Sequence, residues 1–276
     1  GELTARLSWW RTTLHMIRRQ PLGATGAVIA VVMVIVAVFA DVVSPFDPVD
    51  HHYDAMFQAP DAEYWFGSDH FGRDILSRII HGARTALFVG IIAAFAGATI
   101  GLVFGVASAY FSGTFDLLFQ RVMDVFLAFP LIIMALAIVS IFGTDLHYVI
   151  LAIALPFVPN CARIVRSNAL AIREIPYVDA ARALGFGHTR IILRHMVPNV
   201  MAPFLIILTS NIGEAILLEA SLSYLGLGVQ EPTPAWGLML QGGAEEYAES
   251  APWIPIIPGL AITIAVFGFN LFGDGL

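Results

Sequence analysis

The sequence predicts an all-α polytopic membrane protein with six transmembrane helices. Of its 276 residues, 58% are hydrophobic and only 13% are charged, and the mean hydropathy is +0.79. These values lie far outside the range of soluble domains. Several apolar runs are long enough to cross a hydrocarbon core of about 30 Å, which takes roughly 20 residues of helix. The alternation typical of a membrane β-barrel is missing, so helices are the expected structure.

The first span is predicted at residues 22–43, after an arginine-bearing segment at residues 1–21. A cleavable signal peptide is the competing interpretation, because Val38-Phe39-Ala40 resembles a cleavage site. The run is longer than a signal core of about 7–15 residues, which favours an uncleaved helix. An acidic loop at residues 44–82 follows, and we expect it to face outward.

The remaining unit, residues 83–276, holds the other five spans. We predict them at 85–110, 116–142, 147–171, 200–223 and 253–272. The segment between the last two, residues 224–252, is acidic and rich in proline and glycine. This composition suggests a second outward loop that contains one short re-entrant helix.

The arginines set the predicted orientation, and all 14 basic residues are arginine. Most lie in the N-terminal segment or in and beside the link between the fourth and fifth spans: Arg6, Arg11, Arg18, Arg19, Arg163, Arg166, Arg173, Arg182, Arg190 and Arg194. The positive-inside rule places these segments, and both termini, in the cytoplasm.

The absence of lysine excludes two chemistries. A Walker A phosphate loop requires a lysine, and so does a Schiff base. We therefore expect that this chain does not hydrolyse ATP by that route. The single cysteine, Cys161, lies in an apolar run and cannot form an internal disulfide, so we interpret it as a packing residue.

A compact basic segment, "YVDAARALGFGHTRIILRHMVPN", interrupts the apolar runs after residue 176. Pro176 suits the first turn of a helix, Asp179 lies near its positive dipole end, and Gly185 comes where the helix would close. The short helix carries small and charged side chains, which suits a helix that lies in a partner's groove. An ordinary interfacial connector is the alternative that these residues leave open.

The same segment resembles a known family motif. "DAARALG", followed after nine residues by "HMVP", resembles the EAA motif of permease subunits in ATP-binding-cassette (ABC) importers. Asp179 replaces the usual glutamate, and His195 and Val197 replace the usual apolar pair. "FGSDHFGRDILSRIIHGARTAL", "EASLSYLGLGVQEPTPAWG" and "NLFGDGL" resemble segments of the C-type permease of dipeptide and oligopeptide importers, whose members usually continue a little beyond the last of these.

This resemblance implies the type I ABC importer permease fold in a bacterial inner membrane, with residues 176–187 as the coupling helix. The residues expected to contact the ATPase are Tyr177, Asp179, Ala180, Ala181, Arg182, Leu184 and Gly185. The implied partners are a second homologous permease, two ATPase subunits or one fused ATPase, an extracytoplasmic peptide-binding protein and the lipid bilayer, but no nucleic acid. No cofactor is expected on this chain, because ATP and Mg²⁺ would bind the ATPases. The cargo would be dipeptides or short oligopeptides, and the same scaffold also imports nickel, glutathione or haem.

Two further sets of residues are candidates for a role in the membrane. Gly97, Gly101 and Gly105 recur every four residues and give one helix face without side chains, which predicts close helix packing. Glu214 and Glu219 lie within the fifth span, where ionisable side chains are costly and often functional. We expect either that one of them lines the translocation path or that they make structural hydrogen bonds at a helix end or outer gate.

Rival functions find less support in the sequence. Four histidines in the first outward loop invite a metal site, but they lack ligand spacing, and none is predicted: His51, His52, His70 and His81. A stand-alone channel or secondary transporter would need its own gate or an internal repeat, and no convincing duplication is present. An intramembrane enzyme would need a nucleophile with a base or a metal motif, and none occurs at credible spacing.

Overall fold

The computed structural model describes residues 20–244 and 247–275. Within this part the apolar runs are helical, and the predicted all-α class is confirmed. Most of the N-terminal segment predicted as cytoplasmic, residues 1–19, lies outside the described residues, as do loop residues 245 and 246.

The main helices are numbered in chain order. They are α1 (Pro21–Val38), α2 (Ile75–Phe111), α3 (Gly113–Leu127), α4 (Leu131–Phe142), α5 (Leu146–Arg173), α6 (Pro176–Ala183), α7 (Val197–Tyr224), α8 (Trp236–Ala244) and α9 (Trp253–Asp274). Within the described residues, five helical stretches are long and apolar enough to cross a membrane, and the bent pair α3 and α4 makes a sixth if it is one span.

The second span is longer than its apolar run predicts. Helix α2 begins at Ile75, inside the segment predicted as outward loop, because Asp74 caps its first turn and accepts a hydrogen bond from the N–H of Ser77 at 2.7 Å. Its 37 residues extend about 55 Å, well beyond the hydrocarbon thickness. Helix α2 therefore begins within the predicted outward segment 44–82, and its first turns form part of the folded end of the bundle.

The third span is not the single helix predicted at residues 116–142. Helices α3 and α4 meet at an angle of 88° across the break at residues 128–130. Pro130 directly precedes α4 and has an extended backbone, with φ −57° and ψ 136°. Because proline has no N–H and disfavours helical geometry in the residue before it, the helix stops here and restarts in a new direction.

Helix α2 is the central helix of the bundle and packs along α1, α5 and α7. A buried apolar cluster at one end joins α1, α2, α8 and α9, and another at the opposite end joins α2, α5, α6 and the start of α7. The second cluster includes Val178 and Ala181, so it fixes the short helix α6 to the ends of the long ones.

Candidate functional site

The short helix α6 has clear start and stop signals. Ile175 is extended, with φ −76° and ψ 135°, and Pro176 opens the helix. At the other end Gly185 has φ +77°, a left-handed conformation that glycine adopts without a Cβ penalty. The N–H of Gly185 donates to the carbonyl of Arg182 at 2.9 Å, and the N–H of Phe186 donates to that of Ala181 at 3.1 Å. This pattern is a Schellman motif, which satisfies the last carbonyls of the helix.

One face of α6 is buried and the other is free. Val178 is fully buried and Ala181 is only 4% exposed, and both belong to the cluster beneath the helix. Ala181 therefore contacts its own chain in this structure and does not share the free face of the other predicted contact residues. That face consists of Tyr177, Asp179, Ala180, Arg182, Leu184 and Gly185.

Tyr177 connects α6 to the start of α7. Its hydroxyl donates to the backbone carbonyl of His195 at 2.9 Å and accepts from the side-chain amide of Asn199 at 3.0 Å. The same amide donates to the His195 carbonyl at 2.7 Å. These three hydrogen bonds hold the first turn of α6 against α7, so the two elements should move together.

The segment leading into α7 contains a π-helical turn at Ile192–Met196. Such turns are rare and often occur at functional positions. The ring of His195 stacks on Phe186, with ring centroids 6.1 Å apart and an interplanar angle of 16°. The link between α6 and α7 is thus a packed structure and not a loose connector.

A second set of contacts fixes α6 to the end of α2. The Arg182 guanidinium lies 5.3 Å from the ring centroid of Tyr110 and forms an ion pair with Asp179 at 3.0 Å. The hydroxyl of Tyr110 is 2.7 Å from Nδ1 of His188. Sequence analysis did not identify Tyr110 or His188, because they are 78 residues apart and no local pattern links them.

Ion pairs join α3 to α5 at the same end of the bundle. Arg166 makes two hydrogen bonds to Asp116, from Nε to Oδ1 at 2.6 Å and from Nη2 to Oδ2 at 2.5 Å. Arg163 contacts Asp124 at 2.6 Å. The sequence predicted a cytoplasmic role for both arginines only from their charge. Their partners lie 50 and 39 residues away, and the sequence contains no signal that identifies them.

The glycine face of α2 lies against α5. A Cβ atom on Gly101 would lie 2.7 Å from the Cβ of Cys161, and one on Gly105 would lie 2.6 Å from the carbonyl oxygen of Ala162. Gly97 meets the same helix one turn earlier. The three glycines therefore allow α2 and α5 of this chain to approach closely.

The two glutamates of the fifth span have different surroundings. Glu219 is 1% exposed, and its carboxylate accepts a hydrogen bond from the hydroxyl of Ser223 at 2.7 Å. That hydroxyl accepts from the N–H of Val229 at 3.1 Å. Glu219 thus connects α7 to the segment that follows it and has no free face. Glu214 is partly exposed on the side of α7.

Two buried arginines of the first predicted outward loop pair with the exposed Glu231 of the second. Glu231 accepts from Arg73 at 3.1 Å and from Arg78 at 3.2 Å, and Arg73 also contacts Asp69 at 2.7 Å. Burial lowers the pKa of the neighbouring His70. Within residues 20–244 and 247–275, no three His, Cys, Asp or Glu side chains are grouped so that they could hold a metal ion.

Two known families match parts of the chain. Residues 97–276 match the family described as binding-protein-dependent transport system inner membrane component. Residues 8–60 match the N-terminal transmembrane domain of oligopeptide transport permease C.

Individual proteins are similar over nearly the whole length. The dipeptide transport system permease protein DppC of Alkalihalophilus pseudofirmus is 39% identical over 98% of this chain and 88% of its own. The glutathione transport system permease protein GsiD of Escherichia coli is 39% identical over 97% of this chain and 88% of its own. A solved structure of the MetNI methionine ABC transporter in an inward-facing conformation covers 72% of this chain and 94% of its own, with a TM-score of 0.59 at 18% identity. That last similarity supports the fold alone.

Proposed function

The chain belongs to the inner-membrane permeases of binding-protein-dependent ABC transporters, of the oligopeptide permease C type, and from this premise we propose that it forms one half of the pathway of an ATP-driven importer of short peptides. Hydrolysis of ATP lies in other subunits of such transporters. The partners proposed here are a second, homologous permease, two ATPase subunits and an extracytoplasmic peptide-binding protein.

The observation that carries the proposal is the free face of α6. Leu184 is 74% exposed and Tyr177 is 38% exposed. They lie on a short helix beyond the ends of the long apolar helices α5 and α7. Exposed apolar side chains outside the lipid-facing region are typical of a surface that another protein covers. We assign this face to an ATPase subunit.

The contacts of α6 give a way to transmit movement. Val178 and Ala181 fix the helix from below, and Tyr177 fixes it to the carbonyl of His195. A displacement of the ATPase against Leu184 would therefore move α5 and α7 with α6 as a rigid unit. This movement would exchange inward-open and outward-open states of the pathway.

We propose that α7 contributes to the pathway through its partly exposed side, which carries Glu214. An ionisable side chain in a span is costly against lipid, so a water-filled path or a second permease should cover this side. Glu219 is proposed as a structural group near the outer end of α7 and not as a lining residue. The cytoplasmic location of the α6 end and of both termini is part of the same proposal.

Short peptides are the proposed cargo because of the two relatives. One is named for dipeptides and the other for glutathione, itself a small peptide, and both are 39% identical to this chain. The equal identities do not separate the two cargoes, so glutathione is the second candidate. A free amino group and at least one carboxylate are common to both.

The proposal is tested by exchanging Leu184 for arginine in a tagged chain and purifying it in mild detergent from its native cell. The wild-type chain should retain a second permease and the ATPase subunits, whereas the Leu184→Arg variant should lose the ATPase and keep the permease. Trp65→Arg is the matched control, because Trp65 is 68% exposed in the loop at the opposite end. Recovery of a wild-type homo-oligomer without ATPase would overturn the proposed function.

A further inference from the structure

A cavity of about 440 Å³ lies at the end of the bundle opposite α6. It is formed where residues 84–89 of α2, residues 144–146 before and at the start of α5, and residues 229–233 after α7 come together. Its volume is within the range of about 300–1,000 Å³ that is usual for small-molecule pockets. None of the contacts that hold α6 involves these residues.

The lining combines apolar walls with a few polar groups. Phe88, Val89 and Val229 contribute apolar surface, and Thr144 and Thr233 contribute hydroxyl groups. Such a lining suits a ligand that has an apolar side chain and a small number of hydrogen-bonding groups. A large polar or multiply charged ligand would leave the apolar walls unused.

Among the described residues, two charged side chains line the cavity, and only one of them is already paired within the protein. The guanidinium of Arg84 contacts both carboxylate oxygens of Asp41, at 2.9 Å and 3.2 Å, and donates to the carbonyl of Ala37 at 2.9 Å. Arg84 is therefore neutralised and fixes the end of α1 to α2. It adds little attraction for an anionic ligand.

Asp145 differs from Arg84 in this respect. In the part of the chain that the structure describes, no cation forms an ion pair with its carboxylate, and its side chain does not cap the first turn of α5. Asp145 is exposed. The cavity therefore presents one unpaired negative charge beside an apolar wall.

We propose that this cavity binds the free amino terminus of a peptide, with the ammonium group at Asp145 and the first side chain against Phe88 and Val229. This inference rests on the proposed function, since it names the group of the cargo that the permease itself contacts. Thr233, which lines the same cavity, carries a hydroxyl that can hydrogen-bond the first peptide group. The headgroup of phosphatidylethanolamine also carries a primary ammonium group, so the test must distinguish binding of a peptide from binding of this lipid.

The experiment uses the assembled importer, purified with its partner subunits and reconstituted in phosphatidylcholine vesicles. Thr144→Cys supplies a thiol in the cavity, whereas the natural Cys161 is fully buried. The rate of labelling by a polar maleimide is measured with the dipeptide alanylphenylalanine, with its N-acetyl form and with neither. We expect the free dipeptide to slow labelling at least threefold and the N-acetyl form to have no effect.

A second exchange tests the role of the charge. Adding Asp145→Asn to the Thr144→Cys chain should abolish the protection, and adding Asp145→Glu should restore it, which separates loss of charge from loss of structure. Equal protection by both peptides, or none by either, would overturn the inference. So would protection that appears only when phosphatidylethanolamine is added to the vesicles, because the site would then bind lipid.

Failure of the proposed function would be detected in a different measurement from failure of the Asp145 site. It would appear as absence of ATP-driven peptide uptake by the unmodified importer in the same vesicles with its binding protein present. Labelling protection does not require ATP or the binding protein. Uptake without protection by the free dipeptide would leave the importer function intact and remove only the Asp145 site.

Discussion

A valine at position 185 would have to adopt φ +77°, the angle at which Gly185 ends α6. Among the described residues, no atom other than those of the adjacent residues lies within 4 Å of where its Cβ would stand, so the cost of the substitution is that of the backbone. For a residue with a Cβ this conformation costs about 1–2 kcal/mol, and β-branching adds to it. The equilibrium between the closed and the open Schellman motif at the end of α6 should therefore shift by about 5- to 30-fold toward the open form.

The consequence should be a loss of coupling and not of insertion. With the cap open, the hydrogen bonds from Gly185 to Arg182 and from Phe186 to Ala181 are lost, and Leu184 is no longer held in place. We expect ATP-driven peptide uptake by Gly185→Val in reconstituted vesicles to fall by about fivefold or more, while the amount of inserted protein is unchanged.

Two variants control for position and for backbone angle. Gly187 has equally open surroundings but φ −66°, which any residue adopts, so Gly187→Val should keep wild-type uptake. Gly185→Asn should retain most of the activity, because asparagine tolerates the left-handed region. Normal uptake by Gly185→Val, or an equal loss in Gly187→Val, would refute the reasoning.

Three further predictions concern the packing, ion pairs and hydrogen bonds of the bundle. Gly101→Ala should force α2 away from α5 at a cost of about 1–3 kcal/mol and lower the midpoint of thermal unfolding by about 3–10 °C. Gly259→Ala is the control, because its Cβ would meet no described atom, and its midpoint should not fall. Equal midpoints for the two variants would contradict the close packing of α2 and α5. Arg166→Gln and Asp116→Asn should each lower that midpoint, and the double variant should be less destabilised than the sum of the two, because they form one ion pair. Tyr177→Phe removes only the hydroxyl that hydrogen-bonds to the start of α7, and it should reduce peptide uptake about two- to tenfold without releasing the ATPase. Release of the ATPase would show that the hydroxyl itself lies in the docking surface.

Much of the architecture could be predicted from local patterns. The apolar runs indicate helices because any lipid-facing backbone must satisfy its own hydrogen bonds. Pro176 and Gly185 mark the two ends of α6 through their own φ angles, which depend little on distant residues. Pro130 is also a local signal, since it marks the break between α3 and α4. The long apolar run around it nevertheless predicts one continuous helix, and that prediction is wrong.

The sequence by itself determined that the chain crosses a membrane. It also located the short helix α6, through the proline at its start and the glycine at its end. Only the tertiary structure decided which side of α6 is free, that Arg166 meets Asp116, and that Glu219 is enclosed while Asp145 is not. The physical reason is the range of the forces involved. Helix formation and capping depend on residues three to five positions apart, whereas burial and ion pairing depend on which distant helices pack together.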